Sequence, residues 1–95
     1  MENPNIQIIE KEEVSALHFP SEEILTSEKE RKIRATSIER AISLGNLEHH
    51  KVRIYFADDQ GEKRVDTTIW AVTDSAIVLK QHTILPINRI LKLEI

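Results

Sequence analysis

Lys51-Val52-Arg53-Ile54-Tyr55-Phe56 decides the fold. Val52, Ile54 and Phe56 alternate with Lys51, Arg53 and Tyr55, the two-residue period of a strand with one face turned inward. Asp58-Asp59-Gln60-Gly61 then supplies a turn, with glycine where a short hairpin needs a positive φ. The run from Lys63 to Thr73 holds Val65, Thr67, Thr68, Ile69, Trp70 and Val72, a density of β-branched and aromatic side chains that predicts a strand. Apolar residues fall on both alternating faces towards its end, so this strand is expected to bend and serve two layers. Trp70, the largest side chain, reads as core.

Downstream, Asp74-Ser75 is a tight turn, Ala76-Ile77-Val78-Leu79 a nearly continuous buried strand, Gln81-His82 another turn, and Thr83-Ile84-Leu85 a fourth strand. Pro86 has no amide hydrogen to donate and Asn88 favours turns, so Pro86-Ile87-Asn88-Arg89 interrupts the ladder as one 3₁₀ turn. The remaining segment, Ile90 to Ile95, is then a final strand.

Upstream the rhythm is different. Pro20 followed by Ser21-Glu22-Glu23 reads as one helix entry and Ser27-Glu28-Lys29-Glu30, a capping box, as another, and one of the two starts a helix in which Ala35, Ile38, Ala41 and Ile42 recur at spacings of three and four, with Arg31, Arg34, Glu39 and Arg40 bordering or opposing that stripe. This amphipathic helix is expected to end at Gly45-Asn46, where glycine accepts a left-handed conformation. Before it, Asn5-Ile6-Gln7-Ile8 and Val14 to Phe19 give only short apolar signals around Glu10-Lys11-Glu12-Glu13. Residues 1–20 are therefore set apart as an acidic arm, an edge strand or a partly disordered tail, and residues 21–95 as a helix-plus-barrel domain.

The order of helix, long hairpin, two short strands, one-turn break and final strand resembles the Sm-like and SH3-like small barrels. The likeness rests on Asp74, the Ile77-Val78-Leu79-Lys80 run and the Pro86-Ile87-Asn88-Arg89-Ile90 break. It implies an α+β, mainly β fold, with an N-terminal amphipathic helix followed by a five-stranded, strongly bent antiparallel barrel. It also implies a dimer or ring joined at edges formed by Ile84, Leu85, Leu91 and Leu93. The run Thr67 to Asp74 also looks like a motif of an uncharacterised family of short bacterial proteins. The lysine–histidine pair with which bacterial Sm-like chaperones hold uridine-rich RNA is replaced by Asn88-Arg89, so that ligand does not transfer.

Bulk properties bound the function. Ninety-five residues make one compact unit, and the absence of cysteine leaves no disulfide framework, which fits a reducing compartment. With no secretory signal and no long apolar run, a cytoplasmic protein without a membrane partner is expected. The net charge of −3 divides unevenly: residues 1–30 hold eight acidic and two basic side chains, a net of −6, and residues 31–95 hold eight acidic and eleven basic, a net of +3.

Catalytic and metal sites are not expected. In Glu48-His49-His50, adjacent side chains of an extended segment point apart, which makes a solvated linker of it. Asp58, Asp59 and Glu62 read as an ordinary hairpin tip, and no cofactor motif appears. The basic residues Arg31, Arg34, Lys51, Arg53, Lys63 and Arg64 are candidates for one positive surface that would attract the phosphates of RNA, with Tyr55 or Trp70 offering a stacking face. Interleaved acids make a salt-bridged, solvated face the competing reading. A non-enzymatic binding or adaptor module acting on a protein partner or on itself is thus the leading expectation, and a nucleic-acid-binding regulator the alternative.

Overall fold

The computed structural model describes residues 6–48 and 51–95, without the side chains of residues 44–48 and 82. His49 and His50 lie outside the described residues. The chain runs through β1 (Gln7–Ile9), a 3₁₀ segment (Lys11–Ala16), α1 (Glu28–Glu48), β2 (Val52–Ala57), β3 (Glu62–Thr67), β4 (Ile69–Val72) and β5 (Ala76–Leu79). Then come a 3₁₀ turn (Lys80–His82), β6 (Thr83–Pro86), a second 3₁₀ turn (Ile87–Arg89) and β7 (Ile90–Glu94).

The alternation that opens the sequence makes β2 the centre of the first sheet, in the order β1-β3-β2-β7. Ile54 sits between Val65 of β3 and Leu93 of β7, and all three turn inward. Gly61 takes a φ of 144° in the β2–β3 turn, a conformation that side chains with a Cβ rarely adopt. The long run from Lys63 bends, as its doubled apolar faces predict. At Thr68 the chain leaves the first sheet, and β4 begins a second sheet of order β4-β5-β6.

These sheets overturn the expected architecture. Among the described residues seven strands form two sheets, with no closed five-stranded barrel, and the helix lies in the middle of the chain rather than ahead of the strands. Closure fails where β6 ends the second sheet: Pro86 has no amide hydrogen for a further ladder, and the turn at Ile87–Arg89 carries the chain to the far edge of the first sheet. The early residues supply the remaining strand, β1, which pairs parallel with β3. The helix also runs past the expected stop at Gly45-Asn46.

Helical segments cover the flanks of the two sheets. Segment Lys11–Ala16 packs on β6 and β3 and buries Val14; α1 packs on β7 and β4 and buries Ile38 and Ala41. Each large aliphatic group so buried contributes about 1.5–3 kcal/mol. Ala35, expected in the helix stripe, is exposed, and Arg34 takes a buried place instead. Its guanidinium donates to Glu23 Oε2 at 2.8 Å, to Glu23 Oε1 and to the Ile90 carbonyl at 3.0 Å. Arg89 is buried likewise, donating to the carbonyls of Ala57 and Glu22, both at 3.1 Å. Together with the Ile24 amide bonded to the Asn88 carbonyl at 2.9 Å, these contacts fasten the irregular segment before α1 to the last 3₁₀ turn.

Candidate functional site: the outer face of the second sheet

Strand register determines what each sheet shows to solvent. On the outside of the first sheet, Asp66, Arg53 and Glu94 lie side by side across three strands, and Ile8, Arg64, Tyr55 and Lys92 form the next row. The charges are paired within the face. Arg64 meets Asp66 at 3.0 and 3.1 Å, and Arg53 and Lys92 approach Glu94 at 3.9 and 3.7 Å. Tyr55 is buried beneath this lattice, donating its hydroxyl to Glu94 at 2.8 Å, with the Lys92 ammonium 4.7 Å from its ring centre.

The outside of the second sheet is apolar. Ile69, Ile77, Leu79 and Leu85 fill the inner side, and the alternate positions Ala71, Val78 and Ile84 line up across β4, β5 and β6, beside the pair Ala76 and Pro86. Ile84 is 60% exposed. Ala71 is exposed as well, and Ala76, Val78 and Pro86 are half-buried. Next to Ala76 and Pro86 is a shallow groove of about 500 Å³, floored by those two residues and Ile87 and rimmed by Asp74, Ser75 and Asn88. The Thr73 hydroxyl shapes its rim, accepting from the Ser75 and Ala76 amides at 3.3 and 3.1 Å.

Trp70 is not core. The register slips between Ile69 and Ala71, a bulge that re-aims the indole and leaves it 46% exposed. It lines a second cleft, of about 230 Å³, where the chain passes from one sheet to the other, together with Glu10, Lys11, Lys51, Asp66, Thr67, Thr68 and Lys80.

The residues singled out for nucleic acid are dispersed. Arg34 is buried on Glu23, and Lys63 is buried with its ammonium 2.9 Å from Asp58. Arg31 donates to the Leu25 carbonyl at 2.8 Å, Arg64 is held by Asp66, and Arg53 and Lys51 are exposed at the start of β2. Burial alone would raise Asp58, but hydrogen bonds from Lys63 and the amides of Gln60 and Gly61 hold its carboxyl below the usual carboxylate range. The hydrogen bond from Arg34 takes Glu23 down to about 2. Of the residues named for self-association, Leu85 and Leu93 are buried, Leu91 is half-buried and Ile84 is exposed. Both β6 and β7 are sheet edges.

The continuous run Ala76-Ile77-Val78-Leu79 was the available signal for the apolar outer face, because a strand without alternation has two faces to cover. The second cleft has no comparable signal, since its lysines stand at positions 11, 51 and 80. Among the described residues, no group of three His, Cys, Asp or Glu side chains could hold a metal ion, and no helix is long and apolar enough to cross a membrane. The chain matches no family model, no curated protein and no solved structure.

Proposed function

We propose that the protein is a small binding module whose working surface is the outer face of the second sheet, and that a second copy of the chain occupies it. The observation that carries this reading is the uncharged row Ala71, Val78 and Ile84 on a sheet whose other side already lies in the core. An apolar face rimmed by polar residues marks a contact surface. A twofold contact brings one patch against itself, so it needs a surface that does not repel its own copy. This face meets that need, and it has complementary relief: Ile84 protrudes beside the shallow groove of Ala76, Pro86 and Ile87. In an isologous pair each Ile84 enters the partner's groove. Burial of Arg34 and Lys63 in ion pairs leaves the alternative nucleic-acid reading without two of its six surface cations.

Sedimentation equilibrium tests the proposal. The average mass is expected to rise with concentration from 11.0 kDa towards twice that value, and Ile84→Lys is expected to hold the folded protein at the monomer mass. A wild-type mass that stays monomeric at millimolar concentration, or a dimer unaffected by Ile84→Lys, overturns it.

A further inference from the structure

The cleft at the junction of the two sheets is separate from the apolar face and has a different chemistry. Lys11, Lys51 and Lys80 come to its walls from three distant parts of the chain. The backbone fixes one of them: the Lys80 amide donates to the Thr68 carbonyl at 3.1 Å. Thr67 and Thr68, 3% and 8% exposed, bring polar side chains to the same space. The balance of charge is positive. Asp66 is engaged by Arg64, and Lys11 is engaged by Glu12 at 2.9 Å. That leaves Lys51 and Lys80 sharing the lining with Glu10. Trp70, 46% exposed, lines the same space.

Two lysines lining one concave polar space attract a compact anion, and phosphate is the group for which lysine is a point-charge ligand. An indole beside the anion adds preference for a flat ring, because aromatic stacking tolerates any base. We infer that this cleft is a nucleotide-phosphate site, in which Lys51 and Lys80 hold the phosphate and Trp70 carries the ring. The nucleotide arrives either free or as one unit of a single strand, and the recognising chemistry is the same.

Trp70 is the sole tryptophan, so its fluorescence reports on the site directly. The full-length protein at low salt is titrated with inorganic phosphate, ribose phosphate, adenosine monophosphate and a short single-stranded oligoadenylate, with equilibrium dialysis as a second readout. The expected result is saturable binding in which adenosine monophosphate exceeds ribose phosphate, with about tenfold weaker binding in Lys51→Glu and in Lys80→Glu and a steep loss with salt. Lys92→Glu, on the outside of the first sheet, is expected to bind as wild type. An oligoadenylate that binds more than about tenfold better than the monophosphate assigns the site to a strand, and equal affinities assign it to the free nucleotide. No saturable binding of any probe, or unchanged affinity in both cleft variants while they remain folded by circular dichroism, overturns the inference.

Discussion

The two sheets face solvent in opposite ways. The first exposes alternating charges, Asp66-Arg53-Glu94 across the strands, with Tyr55 buried and the Lys92 ammonium over its ring. The second sets Ala71, Val78 and Ile84 in the same kind of row, Ala71 and Ile84 exposed and Val78 half-buried, with no charged residue in it. Both sheets have apolar inner faces, so the core does not distinguish them. The difference lies in what each outer face can do next: a lattice of paired charges is satisfied in water, whereas an apolar row gains free energy by being covered. The contrast identifies the second sheet as the contact surface.

Substitutions on the two sides of β6 break the comparison most strongly. Leu85 is fully buried and its neighbour Ile84 is exposed, although one bond separates them in the chain. Leu85→Ala is expected to destabilise by about 2–5 kcal/mol in urea unfolding, through lost transfer energy and the cavity left behind. Ile84→Lys is expected to change monomer stability by less than about 0.5 kcal/mol while abolishing self-association. Equal destabilisation by both would mean that Ile84 is packed in the monomer.

The buried arginines supply an intermediate effect. Arg34→Met removes the bonds to Glu23 and to the Ile90 carbonyl, and a loss of about 1–3 kcal/mol is expected. The same variant alters the response to acid. Glu23 titrates at about 2 in the fold, against an ordinary value of 4.5, so it binds its proton more readily when unfolded. Its contribution is therefore complete above pH 4.5 and is lost as the pH falls from 4.5 towards 2. Stability measured over that window should fall less steeply in Arg34→Met than in wild type; parallel curves would mean that the pair does not carry this linkage. The smallest effect belongs to the charged lattice. Arg53→Ala, with its partner 3.9 Å away and largely solvated, should change stability by less than about 0.5 kcal/mol and leave association as it is.

How much of this was legible depends on the range of the interaction. The β2–β3 hairpin, the 3₁₀ turn after Pro86 and the bend beyond Val65 follow from local period and turn chemistry, and the structure contains all of them. Whether the sheet closes does not follow locally, because it depends on β6 meeting β7 across the Ile87–Arg89 turn. The burial of Arg34 was hidden for a similar reason: a guanidinium at the edge of a helix stripe looks solvated until Glu23 and the Ile90 carbonyl come to meet it. Trp70 was misread because a register slip, invisible in composition, decides which way a strand residue faces. The apolar outer face was half-visible in the unbroken run from Ala76 to Leu79, while the three lysines of the junction cleft share no segment.

Methyl and amide NMR spectra recorded across a dilution series locate the contact surface most directly. Signals of Ala71, Val78 and Ile84 should shift together with concentration, while those of Ile8, Arg64 and Lys92 stay fixed. Shifts confined to the charged face, or spectra that do not change with concentration, would contradict the assignment of the second sheet as the place where copies meet.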